Sequence, residues 1–218
     1  MKKSLAEFLG TSMLATVVVG SGAMAENLST DVAVQLFINA AATGAALWLL
    51  ITLFAPISGS HFNPVVTAIA YFRKELSTQR ALQFLSAQIL GAILGTCLAN
   101  LLFDHPAIDI SSKNRDGGNL FLSEVLATAG LVFVIHQLSQ IRKGRYVAVG
   151  VATWIFAAYF FTSSTSFANP AITIGRIFSN TFAGIAPHSA LAFIPFQILG
   201  GILGYLLFLT FKKKAVKQ

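Results

Sequence analysis

Two Asn-Pro pairs are the residues of this sequence whose type and spacing say most. Asn63-Pro64-Val65 and Asn169-Pro170-Ala171 lie in long uncharged stretches. Asn is a strong N-cap, and Pro is favoured at the first helical position, where its missing N–H is no loss. Each pair is therefore expected to open a helix. Two acids, Glu7 and Glu124, also sit in otherwise apolar runs. An acid at that depth costs roughly 2.5–3.5 kcal/mol on insertion scales, so each needs a partner or a proton-coupling task. His61, close to Asn63, reads as a buried residue offering its backbone carbonyl rather than as a metal ligand or gate. No nucleophile–base pair, metal-ligand cluster or phosphate loop is present, so neither enzyme activity, metal nor cofactor is expected. The lone Cys97 excludes intrachain disulfides and Cys-based metal cages.

The elements that hold these residues belong in a bilayer. Of 218 residues 55% are apolar and only 11% charged, against about 25% charged in a soluble domain. Mean hydropathy is +0.72. Such a chain cannot cover itself with polar groups. The net charge of +7 forms no basic stripe with interleaved aromatics, so no nucleic-acid partner is expected. Residues 1–25 imitate a secretory signal, with Lys2-Lys3, an apolar run and Ala23-Met24-Ala25. Glu7 interrupts the apolar run and has a counterpart later in the chain, which favours a retained first helix.

A span needs about 20 apolar residues. Spans are predicted at about 4–24, 32–54, 81–103, 120–140, 146–162 and 190–211. The runs 55–63 and 163–169 are polar and turn-forming, and each is followed by a short helix opening at its Asn. Irregular backbone at membrane depth is tolerated only where it is buried in protein or lines a wet cavity. Two such re-entrant segments in matching positions point to a solute pathway. With both termini on one side, twelve of the fifteen Lys and Arg residues fall on that side: Lys2, Lys3, Arg73, Lys74, Arg80, Arg142, Lys143, Arg145, Lys212, Lys213, Lys214 and Lys217. Lys113, Arg115 and Arg176 fall on the other. The positive-inside rule makes the first side cytoplasmic.

The chain is also a duplication. Glu7-Phe8-Leu9-Gly10-Thr11 is echoed by Glu124-Val125-Leu126-Ala127-Thr128, Asn63-Pro64 by Asn169-Pro170, and Gln88-Ile89-Leu90-Gly91 by Gln197-Ile198-Leu199-Gly200. The offsets are 117, 106 and 109 residues. Three spans per half forces opposite orientations, an inverted repeat. Residues 1–218 form one domain, with a first repeat at about 1–103, a linker at 104–119 and a second repeat at 120–218. Gly91, Gly95, Gly200 and Gly204 provide close helix packing at small-xxx-small spacing.

On Ala6-Glu7-Phe8, Ser58-Gly59-Ser60-His61-Phe62-Asn63-Pro64-Val65-Val66-Thr67 and Asn169-Pro170-Ala171, the chain resembles the major intrinsic protein family, the aquaporins and aquaglyceroporins, over nearly its whole length. The resemblance implies an all-α membrane protein of six transmembrane helices and two re-entrant half-helices. Its half-helices would meet N-terminus to N-terminus, each acting like roughly half a positive charge against cations and protons. Asn63 and Asn169 would cap with the side-chain oxygen and turn an NH₂ toward the pore. Carbonyls of Gly59, Ser60, His61 and of Thr165, Ser166, Phe167 would form acceptor ladders, and Glu7 and Glu124 would brace the loops. The first motif ends in Val65 where Ala is usual, a conservative departure beside the pore. A homotetramer in a bacterial plasma membrane, with small neutral solutes as its cargo, is also implied.

The departure that matters is at the selectivity filter. Most of the family has an Arg immediately after the second Asn-Pro-Ala, and Ile172 stands there. Counting back from each Asn puts the partner positions at Thr43, Ala157 and Ser166. Losing a guanidinium removes bulk and oriented donors, so a wider neutral constriction is expected, passing water and larger solutes such as glycerol, urea or metalloid hydroxides. It also resembles a bacterial aquaglyceroporin subgroup linked to arsenic resistance, which adds arsenite and methylated arsenicals. Thr173 replaces the Asp usual in glycerol channels, which weighs against a glycerol-specific pore. Arg176, one turn beyond Ile172, is expected to snorkel to the external interface or pair with an extracellular acid rather than enter the outer vestibule to collect anions or orient solutes. A water-selective channel, a secondary transporter and a closed adhesive pore stay open as alternatives.

Overall fold

The computed structural model describes residues 1–140 and 144–212. Its helices are α1 (Lys2–Leu28), α2 (Val32–Ser58), α3 (Pro64–Phe72), α4 (Thr78–Leu102), α5 (Gly118–Gln140), α6 (Val147–Phe161), α7 (Pro170–Gly175) and α8 (Pro187–Phe211). No strand occurs among the described residues. Helices α1, α2, α4, α5 and α8 are long and apolar enough to cross a membrane. The sixth expected span is shorter. Helix α6 has 15 residues and rises about 22 Å, because the chain turns back at Thr162, whose hydroxyl bonds the Ala158 carbonyl at 2.6 Å. Arg142, Lys143, Lys213, Lys214 and Lys217 of the charge count lie outside the described residues.

The helices wear their apolar side outward, as a lipid solvent demands. On α4, Leu90, Leu94 and Leu98 are exposed while Gln88 is fully buried. The glycines explain how closely the backbones approach. A Cβ on Gly91 or Gly95 would fall 2.5 or 2.0 Å from the carbonyls of Phe8 or Ser12 on α1. On Gly200 or Gly204 it would fall 2.4 or 2.1 Å from those of Val125 or Ala129 on α5. The α1–α4 and α5–α8 pairs are thus the same packing unit made twice.

The half-helices cross between the units. Helix α3 packs on α8 of the second half as well as on α4, and α7 packs on α1 and α4 of the first half as well as on α8. Helices α2 and α6 close the bundle against each other. The two half-helices are also in direct contact, with Asn63 and Asn169 at their facing ends.

Candidate functional site: a central pathway

Each re-entrant loop is held by one buried carboxylate. Glu7 Oε1 accepts from Ser58 Oγ at 2.6 Å and His61 N at 3.0 Å, and Oε2 from Phe62 N at 2.7 Å and Gln88 Nε2 at 2.8 Å. Glu124 Oε1 accepts from Ser164 Oγ at 2.6 Å and Phe167 N at 2.9 Å, and Oε2 from Ala168 N at 2.9 Å and Gln197 Nε2 at 2.7 Å. Each Gln also donates to a half-helix threonine, Thr67 or Thr173, at 2.8 Å. Both carboxylates are fully buried, and four donors apiece offset the cost of taking them from water. The glutamines were missed from sequence, although they lead the echoed Gln-Ile-Leu-Gly runs.

What the carboxylates hold is an unusual backbone. Gly59, Ser60 and Phe62 have φ of 94°, 50° and 49°, and their repeat mates Thr165, Ser166 and Ala168 have 62°, 52° and 48°. Left-handed backbone costs a non-glycine residue about 1–2 kcal/mol, so five such positions persist only because the loops are tied down. The reversal brings both loops to the middle of the bundle. There Asn63 Oδ1 caps α3 at Val65 N, 2.9 Å, and Asn169 Oδ1 caps α7 at Ala171 N, 3.0 Å. The amide nitrogens reach across: Asn63 Nδ2 donates to Ala168 O and Asn169 Nδ2 to Phe62 O, both at 2.8 Å. One N–H of each amide is therefore spent on the opposite loop, leaving one for a solute.

A cavity of about 270 Å³ runs along this seam, with both Asn side chains in its wall. Toward the end of α3 it meets His61, Arg73, Glu75 and His136; toward the end of α7 it meets Thr43, Tyr159, Ser166, Phe167, Ile172 and Arg176. Leu14, Val18, Leu47, Ile51, Val151 and Ile155 form an apolar side. Gly59, Ser60 and His61 also line it, whereas Thr165 does not. His61 Nδ1 lies 3.0 Å from Thr67 Oγ1, a partner rather than a ligand set, and no metal-binding group of acids, histidines and cysteines occurs among the described residues.

Three expectations need correction. Ala157 is exposed on the outside of α6. The cavity takes Val147, Val151, Ile155 and Tyr159 instead, one face at four-residue spacing; counting back from Asn169 through a left-handed loop chose the wrong register. Tyr159 replaces it as the polar residue on that wall, its hydroxyl 3.2 Å from Thr43 Oγ1. Val65 does not face the pathway: it packs with Ile69 and Val132, beneath Gly201, where a Cβ would meet its Cγ1 at 2.2 Å. Val66 lines the cavity. Arg176 does not snorkel, being 2% exposed and in the cavity wall.

The α7 end of the cavity carries two arginines that make no ion pair with a carboxylate among the described residues. Arg176 and Arg115 both lie over the Phe167 ring, at 3.4 and 5.1 Å from its centre. Carbonyls hold them. Arg176 Nε donates to Ala183 O, Arg115 Nε to Gly184 O at 2.9 Å, and Arg115 Nη2 to Phe182 O at 3.2 Å. Burial pulls the Arg115 guanidinium down to about 10, still high enough to keep its charge at neutral pH.

The arrangement has relatives. A sequence model described as major intrinsic protein matches residues 1–146. The chain is 45% identical over 202 residues to aquaglyceroporin AqpS of Rhizobium meliloti (strain 1021), spanning 92% of this chain and 86% of that protein. It is 30% identical over 188 residues to aquaporin TIP1-2 of Musa acuminata, spanning 80% and 74%. The X-ray structure of the aquaglyceroporin from Plasmodium falciparum matches with a TM-score of 0.73 over 99% of this chain and 96% of that one, at 21% identity, which is a likeness of fold.

Proposed function

The chain belongs to the major intrinsic protein family, and we propose that its central cavity passes water together with larger neutral solutes, such as glycerol, urea or metalloid hydroxides. That it is an integral membrane channel for water and small neutral solutes follows from the family. The wider reading rests above all on Ile172, which lines the cavity at the residue directly after the second motif and brings no charge or donor to it. A branched hydrocarbon wall there leaves Thr43 and Tyr159 as the neighbouring neutral polar contacts, with the Arg176 guanidinium in the same cavity wall one turn further on. Passive flux is favoured over coupled transport by the carboxylates, since Glu7 and Glu124 are each engaged by four donors and neither is among the cavity-lining residues.

The protein works as a homotetramer in a bacterial plasma membrane, both termini cytoplasmic, on this reading. The test is stopped-flow permeation of proteoliposomes with water, glycerol, urea and arsenite, for wild type and Ile172→Arg. Wild type is expected to pass water and at least one larger solute without saturation or an ion gradient. Ile172→Arg is expected to cut the larger flux at least tenfold while water still passes. Wild-type protein that passes water alone would overturn the proposal.

A further inference from the structure

Resting on that reading of the pathway, we propose that Arg176 is a specificity-determining donor of the outer constriction, standing one helical turn beyond Ile172 and held over the pathway by Phe167 and the Ala183 carbonyl. Arg176 opens the 3-10 turn that follows α7, its backbone N–H still bonded to Ile172 O, so it stands one turn beyond Ile172, and both line the cavity. A buried arginine ordinarily finds a carboxylate. This one is 2% exposed, yet among the described residues it makes no ion pair, and the single hydrogen bond of its side chain is from Nε to Ala183 O. Its Nη groups are left with up to four N–H donors in a planar fork, at a wall shared with solute.

The surroundings complete a binding edge. Ser166 lines the same wall, but its Oγ is itself buried, so the accessible hydroxyls beside Arg176 are those of Thr43 and Tyr159. The Thr43 and Tyr159 hydroxyls are paired with each other at 3.2 Å, so each keeps capacity for one more bond. A fork of donors sharing a cavity wall with hydroxyl oxygens suits a compact solute with adjacent hydroxyls, whose oxygens accept from Arg176 and whose protons go to Thr43 or Tyr159. Stacking on Phe167 fixes the plane of the fork. Arg115 is a positioning residue: it lies over the same ring, and its bonds to Phe182 O and Gly184 O flank the carbonyl that holds Arg176.

The steric and the donor roles predict opposite signs. Were Arg176 only bulk, Arg176→Leu would widen the mouth and glycerol flux would rise. As an orienting donor its loss should lower glycerol permeability at least about tenfold, the lower edge of the range for a hydrogen bond to a charged group, while water permeability rises. Arg176→Lys keeps charge without the fork and should fall between. Phe167→Leu, which leaves Arg176 in place but unstacked, should lower glycerol flux about threefold, and it carries the test if Arg176→Leu does not fold. All are measured by stopped flow on purified protein in liposomes, with folding checked by circular dichroism. Unchanged or increased glycerol flux in Arg176→Leu, or in Phe167→Leu where that variant stands in, overturns the assignment. Wild type that passes no glycerol fails the wider-pathway reading and this assignment together, whereas wild-type flux insensitive to these changes fails the assignment alone.

Discussion

At the scale of single residues, a buried charge must be matched donor by donor. Glu124 accepts from Ser164, Phe167, Ala168 and Gln197. Glu124→Gln replaces one acceptor oxygen with an amine that faces donors. The loss expected is about 2–3 kcal/mol, the size of a charge-assisted bond plus an unmatched group. Thermal unfolding in detergent should register it as a lower Tm, and the loop it releases should lower flux. Glu7→Gln should behave alike, because its four donors are the repeat equivalents. Both acids were legible in the sequence because a charge in an apolar run has few tasks available. Ala157 and Tyr159 were not. Their difference is a rotation about α6, and nothing in the intervening Ser/Thr run says that its residues take left-handed φ. Arg176 was half legible: its turn and the vestibule alternative were there to read, but nothing in the sequence shows the Phe167 ring and the Ala183 carbonyl that hold it in the cavity wall.

At the scale of elements, the bundle is set by how near two backbones can come. Gly95 and Gly204 admit the carbonyls of Ser12 and Ala129 to positions where a Cβ would stand 2.0 and 2.1 Å away. Gly95→Ala must push α1 and α4 apart, at a cost of about 1–3 kcal/mol, the range for overpacking. Gly204→Ala should do the same to α5 and α8. The two sites serve different helix pairs, so the double variant is expected to add within about 0.5 kcal/mol, as read by guanidinium- or heat-induced loss of helix signal. A matching argument covers Gly10, where a Cβ would sit 2.0 Å from the Phe62 ring. Gly10→Ala displaces Phe62 itself, and with it the carbonyl that accepts from Asn169. Flux should therefore fall more, for the same loss of stability, than in Gly95→Ala. The helix order, the glycine spacing and the ends of α6, expected at 146–162 and found at Val147–Phe161, could be read from sequence; which face of α6 turns to the cavity could not.

At the scale of the whole molecule, the pathway exists only where the two halves interlock. Asn63 donates to Ala168 O and Asn169 to Phe62 O, and each half-helix packs against helices of the opposite repeat. Neither half can therefore build its own loop geometry. A half taken alone would leave the Ala168 or Phe62 carbonyl unmatched and the face of α8 or α4 bare. The connection between them is a different matter. Residues 104–117 hold only one left-handed non-glycine position, Asp104, and bind the turn after α7 through Asp109 N to Phe178 O at 3.1 Å and Ser111 N to Ile177 O at 2.8 Å. These bonds join the linker to the second half and do not need the peptide bond that precedes it. Residues 1–104 and 105–218 produced as separate chains in one cell should consequently assemble, since docking is driven by the same buried contacts. The expected outcome is co-purification of the two pieces and liposome water flux within about threefold of the intact chain. Either piece alone should give no flux above empty liposomes. Flux from one piece, or two pieces that fail to associate although both insert, would mean that the halves do not depend on each other as the crossed asparagines require.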